Sequence, residues 1–142
     1  MTASGELYVA VRAHVLSSCG RGLLKLLEMG RLGRCEIGEG LTDPLTIVSE
    51  ARGRSIVIVG CLEGEEERVR IYEVEPTRGT PAWEEIRGDL QLSLGGDVDV
   101  RGIAGVLRLF AEKPYRVVEV AGGEEEKVYN ASLRALKDIC LN

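Results

Sequence analysis

The stretch that most constrains the fold is Arg54 to Cys61, which reads RSIVIVGC. Its centre, Ile56 to Gly60, carries no polar side chain and is rich in β-branched residues. A charged run, EGEEER, follows closely. A short strand that is apolar on both faces is typical of the interior of a parallel sheet. We therefore place this strand at the centre of the sheet, with its carboxyl end at the edge where ligands usually bind.

Strands and helices alternate along the rest of the chain. Predicted strands cover 6–11, 34–37, 54–61, 68–75 and 115–120, and predicted helices cover about 18–29, 43–51, 99–111 and 125–141, with 76–95 as an irregular loop. Ser17 or Ser18 and Asp43 are the expected caps of the first two helices. The apolar faces comprise Leu45 and Val48 in the second helix, and Val100, Ile103, Val106, Leu107 and Phe110 in the third. The link from Cys61 to Arg68 is too short for a helical crossover, so strand 68–75 is expected to be antiparallel and outermost. The pattern predicts one α/β domain over residues 1–142. It would be a three-layer α/β/α sandwich with strand order 2-1-3, and the last strand would lie beside strand 3.

Charge and hydropathy exclude several classes of function. The net charge is −5 and there is no basic block, so binding to nucleic acid or to an anionic membrane is not expected. The longest apolar run is far shorter than a membrane span. The amino-terminal residues, MTASGELYV, lack the basic region and the long apolar segment of a signal peptide. We therefore expect a cytoplasmic protein.

The four cysteines, Cys19, Cys35, Cys61 and Cys140, form no CxxC pair. That spacing excludes a zinc ribbon and a thioredoxin-type motif. The chain has one Gln and two Asn beside many charged residues, which is typical of thermophile proteins, although the base composition of a genome can produce the same pattern. Intracellular disulfides occur in hyperthermophiles, whereas a mesophile cytosol keeps such cysteines as free thiols.

The candidate site lies at the carboxyl ends of the strands, where loop 12–22 is expected beside residues 60–67, with 95–99 close by. His14, the only histidine, is either a general base or metal ligand or a loop residue without a role, and its lack of a spaced partner favours the second. Cys19 and Cys61 are interpreted first as small apolar fillers, second as a disulfide and third as catalytic thiols.

Two weaker signals concern ion binding. Gly20, Arg21 and Gly22 at a helix start could hold an anion through backbone N–H groups and the guanidinium. Asp97 and Asp99 could bind a hard cation, but aspartates before a helix are more often caps, which is the interpretation we favour.

The chain resembles the peptidases that mature nickel-iron hydrogenases by cleaving the carboxyl terminus of the large subunit. SSCGRG (17–22) is similar to the DEGxG-type turn of that family, and IVIVGC (56–61) to its strand ending in DA. VRIYEVEP (69–76) is similar to the next strand, and SLGGDVDVRGIAGVLRL (93–109) to the segment from a histidine to the third helix. The resemblance covers nearly all of the chain and implies a phosphorylase/hydrolase-like α/β/α fold.

The resemblance also implies which residues would carry the chemistry. In the family an acidic residue of the turn, the Asp of the DA pair and the later His bind nickel. The matching positions are Cys19, Gly60 and about Gly95, and none keeps its ligand type. We therefore expect a diverged, non-catalytic binding or assembly factor without a cofactor, which acts on a protein partner.

Two alternatives belong to different classes of function. One is an active peptidase or hydrolase with a rearranged site at Cys19, His14 and Cys61. The other is a small-anion or nucleotide-binding module that uses residues 20–22.

Overall fold

The computed structural model describes residues 6–38, 43–62, 66–76 and 100–141. The elements in these ranges are β1 (Leu7–Arg12), α1 (Ser18–Leu27), β2 (Arg31–Leu32), β3 (Cys35–Ile37), α2 (Pro44–Ala51), β4 (Ser55–Leu62), β5 (Arg68–Val74), α3 (Val100–Leu107), β6 (Tyr115–Ala121) and α4 (Glu125–Cys140). No helix in these ranges is both long enough and apolar enough to cross a lipid bilayer.

The strands of the described ranges form one mixed sheet in the order β2-β3-β1-β4-β6-β5. β1 is parallel to β3 and β4, and β6 is parallel to β4. β5 is antiparallel to β6 at one edge, and β2 is antiparallel to β3 at the other. The α/β class, the predicted strand order and the antiparallel edge strand are thereby confirmed. The hairpin β2–β3 was not predicted; it turns at Gly33, whose φ of 57° suits glycine.

Two separate apolar clusters hold helices against the two faces of the sheet. On one face, Val57 and Val59 of β4 share a cluster with residues of α1 and α4. On the other face, Ile56 and Ile58 share a cluster with residues of α2 and α3. Residues 56–61 of β4 are all buried. The prediction that this strand lies inside the sheet with both faces covered is confirmed.

The caps of the first two helices follow the sequence signals. Ser17 Oγ accepts a hydrogen bond from the N–H of Gly20 at the start of α1, at 3.1 Å. Asp43 Oδ1 accepts one from the N–H of Leu45 at 3.3 Å, with Pro44 at the first position of α2. Leu45, expected to face inward, is 58% exposed instead. The buried residues of α2 are Ile47 and Ala51.

The third helix ends earlier than predicted. α3 stops at Leu107, and the N–H groups of Leu109 and Phe110 bond to carbonyls three residues back. This tightening turns the chain ahead of Pro114. Phe110, expected on the buried face, therefore lies beyond the helix and is 40% exposed.

Candidate functional site

The carboxyl ends of the central strands meet at one edge of the sheet. Arg12 of β1 pairs with Gly60 of β4, and Gly60 pairs with Glu119 of β6. Loop 13–17 connects β1 to α1 at this edge, and Cys19 in the first turn of α1 is bonded to Cys61. Loop 12–22 and the end of β4 are thus adjacent, as the sequence predicted. Residues 63–65 and 95–99, including Gly95, Asp97 and Asp99, lie outside the described residues.

All four cysteines are paired. Cys19 is bonded to Cys61 with their Cα atoms 6.0 Å apart, and Cys35 to Cys140 with their Cα atoms 5.5 Å apart. For Cys19 and Cys61 the structure has the disulfide, the second of the three interpretations, and not the favoured apolar fillers. A sulfur in a disulfide has no thiolate, so neither is a nucleophile in this form. The second pair, separated by 105 residues, was not predicted.

His14 shapes the loop that carries it. Its imidazole Nδ1 accepts a hydrogen bond from the backbone N–H of Leu16 at 3.2 Å, and the backbone N–H of His14 donates to the carbonyl of Gly20 at 3.4 Å. The imidazole lies against Gly20 so closely that any Cβ there would overlap the ring. Within the described ranges no three His, Cys, Asp or Glu side chains are grouped to hold a metal ion. The contacts of His14 are those of a residue that fixes the loop.

The donors proposed for an anion are occupied by protein groups. The N–H groups of Gly20 and Arg21 bond to Ser17. The Arg21 guanidinium donates to the carbonyl of Val15 at 3.1 Å and to Ser18 Oγ at 3.1 Å, and it lies 3.6 Å from a Glu125 carboxylate oxygen. Gly22 is buried against α4. Arg21 thus ties loop 13–17 to α1 and α4.

Loop 13–17 carries two apolar side chains in solvent. Val15 is 66% exposed and Leu16 is 87% exposed. We call this pair the apolar tip. The hydrogen bond to His14 Nδ1 holds the backbone of Leu16, and the hydrogen bond from Arg21 holds the backbone of Val15. The apolar tip is therefore presented by a braced loop, next to the Cys19–Cys61 disulfide.

Gly60 faces α3, and its position has no room for a side chain. A Cβ at Gly60 would overlap the side chain of Val100, the first residue of α3. Val100 is completely buried, so it has little freedom to move aside. The space beside Gly60, near the carboxyl end of β4, is therefore filled by the neighbouring helix.

We expect Gly60→Ala to lower the free energy of unfolding by about 1–3 kcal/mol, because the new methyl group overpacks the contact with Val100. Urea denaturation of the purified variant measures the change. Gly123→Ala is the matched control, since a Cβ at Gly123 meets nothing within 4 Å. Equal stability of the two variants would contradict this account of Gly60.

A buried polar cluster lies on the α2/α3 face, close to Gly60. Glu119 of β6 is only 3% exposed and accepts hydrogen bonds from Arg101 at 2.9 and 3.3 Å. The Tyr72 hydroxyl donates to the same carboxylate at 2.6 Å, and the Arg70 guanidinium lies over the Tyr72 ring. We call Tyr72, Arg101 and Glu119 the Glu119 cluster. The sequence prediction missed it, although a carboxylate inside the otherwise apolar end of YRVVEV was a usable signal.

The Glu119 cluster keeps its carboxyl group ionised. Burial alone would raise the pKa of Glu119, but the hydrogen bonds from Arg101 and Tyr72 and the charges of Arg101 and Arg70 hold it below its usual value. The pKa of Tyr72 is raised well above its usual value, first by burial and then by the hydrogen bond to Glu119 and its negative charge. Tyr72 therefore remains a protonated donor and Glu119 a charged acceptor at neutral pH.

The polar groups of this edge are thus bonded largely to one another, while the apolar tip projects from it. No family model matches this sequence, and no curated protein or solved structure matches it either.

Proposed function

We propose that this chain is a non-catalytic binding or assembly protein, diverged from the hydrogenase-maturation peptidases it resembles, and that it contacts a protein partner through the apolar tip. The observation that carries the proposal is the exposure of Val15 and Leu16 on a loop held by side-chain hydrogen bonds and anchored beside a disulfide. Single exposed apolar residues are ordinary on protein surfaces. Two adjacent ones on a braced loop favour a recognition role.

The bracing matters because it lowers the cost of binding. A loop that already has its bound shape loses little conformational freedom when a partner covers it. Leu16 has most of its surface available for burial. Complete burial of a leucine side chain contributes about 1.5–3 kcal/mol, or roughly 10- to 150-fold in affinity. The partner we propose is a protein with an apolar pocket that accepts two aliphatic side chains.

Three features support the absence of peptidase activity. Cys19, which resembles the acidic ligand position of the turn, is bonded to Cys61. Gly60, which resembles the aspartate position, offers no ligand atom, and Val100 fills its space. A peptidase that used Cys19, His14 and Cys61 would need a thiolate and a mobile imidazole, whereas here His14 packs on Gly20. The anion-binding alternative has less support because the donors of Gly20 and Arg21 are engaged.

Cross-linking from the apolar tip tests the proposal. A photoreactive amino acid at position 16, in cells that naturally make the protein, is expected to give one discrete adduct with another protein. The matched control places the same amino acid at position 45, because Leu45 is also exposed, at 58%, but lies on α2. Identical adducts from the two positions, or none from position 16, would overturn the proposal.

Affinity for the cross-linked protein gives a second measure. Leu16→Asp is expected to weaken binding by about 100-fold, because a charged side chain then enters an apolar pocket. Leu45→Asp should leave the affinity unchanged. Stoichiometric nickel or zinc in the purified protein, together with peptidase activity lost in Cys19→Ser, would support the catalytic alternative instead. Saturable phosphate binding that disappears in Arg21→Gln would support the anion-binding alternative.

A further inference from the structure

The two disulfides join helices α1 and α4 to the sheet, one at the carboxyl ends of the strands and the other at their amino ends. All four cysteines belong to the apolar cluster between the sheet and helices α1 and α4. Cys19–Cys61 joins the start of α1 to the carboxyl end of β4. Cys35–Cys140 joins the start of β3 to the last residue of α4, at the amino edge of the sheet. Only the first pair lies beside loop 13–17.

We propose that Cys19–Cys61 is a redox switch that controls the apolar tip, and this inference rests on the function proposed above. In the oxidised form the disulfide fixes the start of α1, from which loop 13–17 is braced. Reduction by a dithiol frees that end of α1 and loosens the loop. Partner binding then weakens, because the partner must order the loop, and the entropy lost in that ordering makes the free energy of association less favourable.

The surroundings of the two pairs predict different reactivity. Cys19 and Cys61 are 4% and 7% exposed, whereas Cys35 and Cys140 are 0% and 2% exposed. Cys19 lies in the first turn of α1, where the helix dipole stabilises a thiolate, and a stabilised thiolate leaves faster. Cys140 is the last residue of α4, where the dipole opposes a negative sulfur. Both differences favour reduction of Cys19–Cys61 first.

The site can also accommodate the reduced pair. Cys19 Sγ lies 3.6 Å from the carbonyl oxygen of Val120, and Cys61 Sγ lies 3.9 Å from that of Leu62. Each thiol would therefore have a backbone acceptor for its S–H. Leu23 and Leu26 of α1 are completely buried in the same apolar cluster, so the body of the helix stays packed when its first turn is released.

The reaction is an ordinary thiol–disulfide exchange. One thiolate of the dithiol attacks Cys61 Sγ, because Cys61 is the more exposed residue of the pair, and Cys19 leaves and takes up a proton. The second thiol of the dithiol then attacks the sulfur that the dithiol contributes to the mixed disulfide, and Cys61 leaves as a thiol. Two electrons and two protons pass to the cysteine pair, and the dithiol becomes a cyclic disulfide.

Limited reduction of the wild-type protein tests the order. Samples treated with dithiothreitol for increasing times are alkylated, digested and analysed by mass spectrometry. We expect Cys19–Cys61 to be reduced about tenfold or more faster than Cys35–Cys140, which serves as the control within the same molecule. Equal rates, or faster reduction of Cys35–Cys140, would overturn the proposal.

Hydrogen exchange tests the structural consequence without any partner. In the selectively reduced protein and in the variant Cys19→Ser/Cys61→Ser, the amides of Leu16 and Gly20 should exchange about tenfold faster. The amides of α4 should keep their protection, which also shows that the variant is folded. Unchanged exchange at Leu16 would overturn the switch. If cross-linking at position 16 finds no partner, the proposed function fails, while reduction rates and exchange still decide whether the loop responds to redox state.

Discussion

Replacing Arg101 with methionine is expected to lower the free energy of unfolding by about 3 kcal/mol at pH 7, because it leaves the buried Glu119 carboxylate without its charged donor. Arg101 makes two hydrogen bonds to this carboxylate, whose side chain is only 2% exposed. The value lies at the low end for a broken buried pair, because the Arg101 side chain is itself 52% exposed and Tyr72 keeps its hydrogen bond to Glu119. Urea denaturation measures the change. Arg116→Met is the matched control: Arg116 is exposed on β6, the strand that carries Glu119, and its replacement should alter stability by less than about 0.5 kcal/mol.

The origin of the loss can be separated from lost packing. The double variant Arg101→Met/Glu119→Gln should be more stable than Arg101→Met alone, because the amide keeps an acceptor for Tyr72 without a buried charge. Protonation of Glu119 in acid should likewise reduce the stability difference between the wild type and Arg101→Met. The pKa of Glu119 is lowered in the folded wild type, so its contribution is present above the unfolded pKa of about 4.3 and lost as pH falls through the folded value. The difference between wild type and Arg101→Met should therefore shrink below about pH 4. A difference that is constant with pH would contradict the electrostatic explanation.

Removing the Cys35–Cys140 disulfide in the variant Cys35→Ala/Cys140→Ala is expected to cost up to about 4.7 kcal/mol of stability. The bond closes a chain segment with a sequence separation of 105, and in the chain-entropy model a long closed loop strongly restricts the unfolded state. Denaturation of the oxidised proteins in urea measures the loss. Thiol titration of the unfolded wild type, without reductant, should first find no free thiol.

The Cys19–Cys61 pair provides the comparison for this prediction. Its separation is 42 residues, so Cys19→Ala/Cys61→Ala should cost about 0.8 kcal/mol less by the same chain-entropy relation. Wild-type protein with both bonds reduced should lose more than either variant. A double variant as stable as the oxidised wild type would mean that Cys35–Cys140 does not restrain the unfolded chain.

The sheet could be predicted because its signals are local. The apolar run 56–59, with charged residues after it, identifies a central strand, and the short link to Arg68 leaves only an antiparallel edge strand. The caps at Ser17 and Asp43 are equally local, since each acts within three residues. The buried faces of the helices were predicted less reliably, because Leu45 and Phe110 fit the apolar spacing of their helices but are exposed. Apolar spacing does not show which part of a helix packs against the sheet, or that the third helix ends at Leu107.

The candidate site could be predicted only in outline. Its place at the carboxyl edge follows from strand order, but its chemistry depends on contacts between distant segments. The β5–β6 register places Arg70 opposite Glu119, so Tyr72, on the same face of β5, reaches the Glu119 carboxylate. No short motif encodes that pairing. Likewise Val100 fills the space beside Gly60 across 40 residues of sequence. The exposure of Val15 and Leu16 was also missed, although both lie in the predicted loop 12–22, because a loop sequence does not show which of its side chains contact the rest of the fold.

Both covalent links lie on one side of the sheet, so the two helical layers should differ in mechanical robustness. α1 and α4 share the cluster that contains both disulfides, whereas α2 and α3 are held by a cluster that contains none. Partial unfolding should begin with α2 and α3, and leave α1, α4 and the sheet folded and joined by the two disulfides. Among the described helices, a protease that acts on this partly opened form would therefore cut α2 or α3 before α1 or α4. The disulfides would therefore determine which helices unfold first, in addition to raising the stability of the whole fold.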